Sequence, residues 1–154
     1  MVVLFCGCAL VVSIWVFRSM KNAWLIQRSG KQPKISPGWS IGWYFIPIAN
    51  LWKPLQTMFE INKSSLKDPS RLTFWIGIWW LFGLSGMVLA ISPVFRVLAT
   101  GVEIDAINCF IYGSAFMLDI LAAVFLIKII SGITAAQMEL FDFSLPGEQK
   151  SPLD

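Results

Sequence analysis

The chain has 154 residues, of which 56% are apolar and only 14% are charged, and its mean hydropathy is +0.69. Soluble domains carry about 25% charged residues, so this composition excludes a disordered chain, a nucleic-acid-binding tail and an ordinary water-soluble enzyme. The net charge of +3 is too small to favour nucleic acid as a partner. The length fits one domain, and the composition predicts a small all-α integral membrane protein with three to four transmembrane helices.

The first apolar run predicts a span over residues 2–24. Residues 1–17 carry no charge, and Arg18 and Lys21 follow them. We do not expect the run to be a cleavable signal peptide, because its positive charges come after it rather than before it. Cationic residues beside a span stay on the cytoplasmic side, so we expect Met1 outside the cell and residue 18 onward inside.

The second uncharged run, residues 35–52, is interrupted by proline. Pro47 and Pro54 each remove a helical hydrogen bond and should free the carbonyls of Trp43 and Asn50. The helical part before Lys53 would cover only about 22 Å, which is too short to cross a hydrocarbon core. We therefore predict a broken, tryptophan-rich helix over 37–61 that is re-entrant or interfacial.

Two further spans are predicted over residues 72–95 and 106–130. Pro93 is expected to end the first of them, and Gly86 with Ala90 forms a small-xxx-small pair that would let another helix approach. A single transmembrane domain would then occupy residues 1–138. The acidic, proline-containing residues 139–154 are expected to form a mobile tail.

The distribution of lysine and arginine distinguishes three spans from four. If residues 37–61 do not cross, eleven of the twelve cations lie inside and only Arg96 lies outside. If they do cross, six lie on each side. A strong bias of cations towards the cytoplasmic side is the normal pattern, so three spans are favoured and four spans is the alternative. The chain is then expected to be a multi-pass protein of the cell membrane with a cytoplasmic C-terminus.

The segment from Ser36 to Pro54 carries a specific motif. It begins with Ser36-Pro37-Gly38-Trp39, continues through Trp43-Tyr44-Phe45-Ile46-Pro47 and ends with Asn50-Leu51-Trp52-Lys53-Pro54. In this respect the chain resembles the bacterial membrane proteins grouped as domain of unknown function 4328. Three shorter matches, covering roughly residues 15–138 with the central motif, support the resemblance: Trp15-x-x-Arg18-x-x-x-Asn22, Trp79-Trp80 and Thr134-x-x-Gln137.

This resemblance implies a membrane protein with no established activity. The short stretch before the first span departs from the family pattern, in which more residues are expected at this point. No residue role is carried over from the family, so the functional residues have to be argued from their chemistry.

The proline-broken segment is the first candidate functional motif. Freed carbonyls beside an aromatic wall line substrate or ion sites in transporters. The alternative is that the prolines only fold the segment back while the tryptophans anchor it at the headgroups. The candidate residues are Trp39, Trp43, Pro47, Asn50, Trp52, Lys53 and Pro54.

Asp119 is the second candidate, because it is the only charged residue deep inside a predicted span. Helical spacing places Asn108, Tyr112 and Asp119 on one face, which we expect to point inward. A carboxyl in hydrocarbon favours its neutral form and would hydrogen bond to a tryptophan N–H or to Ser85. It would act either as interhelical glue or in proton or cation handling.

The third candidate set is basic, and it would contact anionic lipid beside the first span. Its members are Arg18, Lys21, Arg28, Lys31 and Lys34.

The sequence nominates no catalytic residue, no metal site and no cofactor. There is no histidine, and Cys6, Cys8 and Cys109 form no CxxC pair. The favoured function is a non-enzymatic scaffold, accessory or regulatory membrane component that packs with itself or with a membrane-protein partner. The alternative is a small oligomeric transporter or channel that uses Asp119 and the broken helix 37–61.

Overall fold

The computed structural model describes residues 2–26, 33–101 and 105–144, and every regular element in these ranges is helical. Short 3-10 turns at Trp43–Phe45 and Ala49–Leu51 interrupt the segment between the first and third helices. The predicted all-α class is confirmed. The five α-helices are α1 (Val2–Ile26), α2 (Trp39–Gly42), α3 (Lys53–Ser65), α4 (Ser70–Thr100) and α5 (Ala106–Ser144).

Three of the described helices are long and apolar enough to cross a membrane. The qualifying stretches are Gly7–Ile26, Ser70–Thr100 and Ala106–Phe141. The 31 residues of α4 cover about 46 Å, which exceeds a hydrocarbon core of about 30 Å. In contrast, the 13 residues of α3 cover only about 20 Å.

Pro93 lies inside α4 and does not end it, so the expectation that the helix stops there is wrong. A proline in a helix leaves the carbonyl four residues earlier without its N–H donor, and here that carbonyl belongs to Leu89. The Ser92 hydroxyl donates a hydrogen bond of 2.9 Å to the Leu89 carbonyl. Serine thus replaces the missing donor, and the helix continues to Thr100.

The fifth helix extends into the predicted tail. Residues 139–144 of the expected tail are helical, and residues 145–154 lie outside the described residues. Ile133 and Gln137, which lie on one helix face just before these residues, are buried. Glu139 and Lys67 are 3.8 Å apart, but both side chains are exposed and add little.

The chain divides into two compact units. The first comprises Met1–Thr73 and Ile130–Asp154, and the second comprises Phe74–Ile129. The core of the first unit consists of buried apolar side chains from α1, α3 and α5, which include Val16, Met20, Ala23, Met58, Ile61 and Ile133. The second unit pairs the middle of α4 with the first half of α5, and its buried side chains include Ile76, Trp79, Ala115 and Ala122.

Candidate functional site

A buried glutamine joins three helices of the first unit. The Gln137 Nε2 group donates to the Ser19 carbonyl of α1 at 3.0 Å and to the Ser65 hydroxyl of α3 at 2.8 Å. Its Oε1 atom accepts a hydrogen bond of 3.1 Å from the Asn22 side chain of α1. Gln137 is only 4% exposed, so these bonds satisfy polar groups that water does not reach.

A second hydrogen bond joins α1 to α5, one helical turn before Gln137. The indole N–H of Trp15 donates to the Thr134 hydroxyl at 3.1 Å. Two of the short motifs noted in the sequence therefore meet in the folded chain, since Trp15 and Asn22 come from one and Thr134 and Gln137 from the other. This junction fixes α1 against the end of α5 and uses its polar groups for packing rather than chemistry.

Sequence reasoning missed this junction as a structural site. It noted Asn22 and Gln137 only as parts of motifs, and it did not name Ser19 or Ser65 at all. The usable signal was the presence of amide side chains in otherwise apolar helices, since such groups need a partner when they are buried. Which helix supplies that partner depends on tertiary packing, and periodicity alone does not reveal it.

The start of the tryptophan-rich segment is held by local hydrogen bonds and by ring stacking. The Ser40 hydroxyl donates to the Pro37 carbonyl at 2.6 Å. One turn of helix then places the Trp39 ring against the Trp43 ring, with their centroids 4.5 Å apart and their planes inclined by 29°. Gly42 leaves room for this stack, because a Cβ atom there would lie 3.1 Å from Cε3 of Trp39.

The prolines shape this segment in a different way from the one expected. The Trp43 carbonyl, predicted to be free, accepts the Ile46 N–H at 3.3 Å within a 3-10 turn. The Asn50 N–H in turn donates to the Ile46 carbonyl at 2.8 Å. Pro54 is buried in the first turn of α3, where a missing N–H breaks no helical bond. The carbonyls of Trp43 and Ile46 are thus paired within this segment.

A cleft of about 500 Å³ lies between the tryptophan-rich segment and α3. The Lys53 ammonium lies 5.1 Å from the centroid of the Trp43 ring and donates to Gln56 Oε1 at 3.1 Å. Farther along α3, Glu60 Oε2 accepts a hydrogen bond of 3.2 Å from the Lys34 backbone N–H. The lining residues are Lys34, Ile35, Ser36, Trp39, Trp43, Lys53, Gln56, Phe59 and Glu60.

The cleft brings together residues from two of the predicted sets. Trp39, Trp43 and Lys53 come from the motif, and Lys34 comes from the basic set. The remaining motif residues, Pro47, Asn50 and Trp52, are not part of its lining. Of the other basic residues, Arg18 and Lys21 are exposed on α1, whereas Arg28 and Lys31 lie outside the described residues.

Beside the cleft, the same segment exposes large apolar side chains. Phe45 is 81% exposed and Ile48 is 70% exposed, which is unusual for a segment that is too short to span a membrane. Ile46, Leu51 and Trp52 are also exposed. Together these five residues form an apolar ridge.

Two titratable groups of the first unit have shifted pKa values. Burial raises the pKa of Tyr44 to about 12, so its phenol stays protonated at neutral pH. The hydroxyl and backbone N–H of Ser70 donate to Asp68 Oδ1 and lower the pKa of that carboxyl. Asp68 therefore accepts both bonds in its ionised form and stabilises the turn that leads into α4.

In the second unit, Asp119 packs beside a glycine of α4. A Cβ atom placed on Gly86 would lie 2.5 Å from Asp119 Oδ1 and 3.4 Å from the Ala115 carbonyl, so a side chain at this position would have to displace the carboxyl or separate the two helices. The helix partner expected at Gly86 is thus α5 of the same chain. No residue in the described ranges donates a hydrogen bond to Asp119, including the tryptophans and Ser85 that were expected to do so.

The polar face predicted around Asp119 is only partly buried. Asn108 is 3% exposed, and its side-chain amide has no partner among the described residues. Tyr112 is 49% exposed, and Asp119 is also exposed although its carboxyl lies beside Gly86 of α4. The inward orientation expected for this carboxyl therefore stays a prediction.

Other polar groups of the second unit lie near its two ends. Arg96 pairs with Asp105 at 2.6 Å, and Asp105 also accepts the Asn108 N–H at the start of α5. At the other end, the Lys128 ammonium lies 3.4 Å from the centroid of the Trp75 ring. Within the described ranges, Cys8 and Cys109 are free thiols and no cluster of three potential metal ligands occurs.

The chain matches a known protein family over most of its length. Residues 1–135 match the family described as Domain of unknown function (DUF4328). The chain belongs to this family. The DUF4328 match includes the whole cleft and the Trp15–Thr134 pair, and it ends two residues before Gln137. No curated protein and no solved structure matches the chain.

Proposed function

We propose that this DUF4328 protein is a non-enzymatic component of the cell membrane that assembles with a second copy of itself. The observation that carries the proposal is the exposure of Asp119 near the middle of a helix that is apolar enough to span a membrane. Carboxyl groups at this depth normally face other protein, because contact with lipid is costly. A face that bears such a group therefore needs a protein partner.

The surface that would meet this partner is a stripe along α5. Tyr112, Phe116, Asp119 and Ala123 recur at intervals of three or four residues, so they lie on one helix face, and all four are exposed. The small side chain of Ala123 would let a second helix come close. We call this surface the Asp119 stripe.

The chemistry of the carboxyl favours a second copy over an unrelated partner. A neutral carboxyl both donates and accepts a hydrogen bond, so it is complementary to itself. Two copies related by a twofold axis would place like residues opposite each other. Paired Asp119 side chains would then satisfy one another inside the membrane without any other ionisable group.

We further propose that α1, α4 and α5 cross the membrane while residues 37–61 lie at its cytoplasmic surface. The apolar ridge supports this placement, because its side chains would enter the headgroup boundary while the prolines turn the backbone back. The bias of eleven cations to one supports Met1 outside and the C-terminus inside.

Cysteine cross-linking in native membranes tests the assembly. In a variant without Cys6, Cys8 and Cys109, we expect Ala123→Cys to form disulfide-linked dimers on oxidation. Leu121→Cys is the matched control, because residue 121 is also exposed but lies on a different face of α5. Equal cross-linking at both positions, or none at Ala123→Cys, would show that the stripe is not a self-interface.

The transporter alternative is tested with the same protein in liposomes. We expect no proton, sodium or potassium flux above that of protein-free vesicles. Asp119→Asn should fold and dimerise, because an amide pair is also self-complementary. A cation flux that Asp119→Asn abolishes in folded protein would contradict the proposal and favour a channel or transporter.

A further inference from the structure

We propose that the cleft between the tryptophan-rich segment and α3 binds the anionic phosphate headgroup of a membrane lipid, with the phosphate between Lys34 and Lys53. This site is separate from the Asp119 stripe and does not require dimerisation, but it rests on the proposed placement of residues 37–61 at the membrane surface.

The charge balance of the cleft favours an anion. Its lining contains two lysines and one carboxylate. The carboxylate, Glu60, accepts the backbone N–H of Lys34 and is partly compensated by it. The Lys34 side chain is exposed, which leaves its ammonium accessible to a ligand.

The position of Lys53 argues against a cationic ligand. Its ammonium already lies against the Trp43 ring, 5.1 Å from the centroid, so the aromatic face that would attract a cation is occupied. Gln56 Oε1 accepts only one of the three ammonium protons of Lys53. The remaining donors can bind phosphate oxygens.

The apolar ridge identifies a lipid, rather than a free phosphate compound, as the source of that headgroup. Phe45 and Ile48 belong to the same short segment as the cleft wall and are among the most exposed apolar side chains in the described part of the chain. If they enter the bilayer boundary, the cleft opens at headgroup level, where tryptophan and lysine are favoured. An acyl chain could then lie along the ridge while the headgroup enters the cleft.

Native mass spectrometry of the full-length protein in detergent tests this assignment. The probe is phosphatidylglycerol, and phosphatidylcholine is the zwitterionic comparison. We expect phosphatidylglycerol to bind more tightly than phosphatidylcholine. Lys34→Gln or Lys53→Gln should weaken phosphatidylglycerol binding about fivefold and the double variant about 25-fold, which is the loss expected for lysines at a lipid surface. Lys63→Gln removes an exposed lysine of α3 outside the cleft and should leave binding unchanged.

Two further comparisons test whether the charge of Lys53 is what matters and whether the ligand is a lipid or a soluble phosphate compound. Lys53→Arg keeps the charge and should keep the binding, so loss of binding in a folded Lys53→Arg protein would overturn the phosphate contact. Inorganic phosphate and glycerol phosphate at millimolar concentration should not displace the lipid; displacement would show a soluble ligand instead. Equal binding of phosphatidylcholine, or an equal loss in Lys63→Gln, would refute the site.

Discussion

Single side chains set the packing of the first unit, and Gln137 is the clearest example. One amide bridges α1 and α3 through three hydrogen bonds and is almost completely buried. Shortening or removing it would leave the Asn22 amide and the Ser65 hydroxyl without this partner. A buried polar group that loses its partner costs more than the bond itself contributes.

We therefore expect Gln137→Leu to lower the free energy of unfolding by about 1–3 kcal/mol. Denaturant unfolding followed by circular dichroism measures the change. Met138→Leu is the control, because Met138 is the next residue of the same helix and is 61% exposed. If both variants were as stable as the wild type, the junction would not be a principal source of stability.

At the scale of the helix, glycine and proline in α4 have specific structural roles. Gly86 and Gly83 are one turn apart, yet a Cβ atom at Gly86 would meet Asp119 whereas one at Gly83 would meet nothing within 4 Å. Pro93, in turn, is accommodated by the hydroxyl of the residue before it. Both features depend on one neighbouring group, so each can be tested by a paired substitution.

The first pair compares the two glycines. Gly86→Leu should push α4 and α5 apart and destabilise the protein by about 1–3 kcal/mol, the usual cost of overpacking. Gly83→Leu should change the stability by less than about 0.5 kcal/mol, because its surroundings are open. Thermal unfolding in the same detergent compares them, and equal destabilisation would mean that the two helices do not meet at Gly86.

The second pair tests the serine–proline arrangement. Ser92→Ala should cost about 1 kcal/mol, because the Leu89 carbonyl then loses its donor. In a Pro93→Ala background the same change should cost much less, since the restored N–H can reach that carbonyl. A double-mutant cycle of unfolding free energies measures this coupling, and additive effects would rule out the compensation.

At the scale of the whole molecule, the sequence predicted the helical class and the positions of the three long helices. Long uncharged runs carry this information directly, because a helix that could cross the bilayer needs about 20 apolar residues. The family was also recognisable, since the motif from Ser36 to Pro54 is local in sequence.

The candidate sites were less predictable, because they depend on contacts between distant residues. The cleft is lined by Lys34, Lys53 and Glu60. The hydrophobic periodicity of the sequence does not predict that the chain brings these residues to one cleft. The approach of Asp119 to Gly86 depends on how α5 packs against α4, which helical spacing alone does not determine. Past Pro93, α4 continues with the Ser92 hydroxyl bonded to the Leu89 carbonyl. The general tendency of proline to end helices did not predict this hydrogen bond.

For the whole molecule, we propose that residues 37–61 do not cross the membrane. If so, the loops before and after them share the cytoplasmic side, and the turn between α4 and α5 lies outside. Lys34, Lys67 and Thr100 are suitable reporter positions, because all three are exposed. Replacing Cys6, Cys8 and Cys109 first removes the native thiols.

The decisive measurement is therefore labelling of single cysteines in intact cells with a membrane-impermeant maleimide. We predict that Thr100→Cys is labelled from outside, and that Lys34→Cys and Lys67→Cys are labelled only after the membrane is permeabilised. Labelling of Lys34→Cys and Lys67→Cys from opposite sides would show that the broken helix crosses, and it would contradict this placement of residues 37–61.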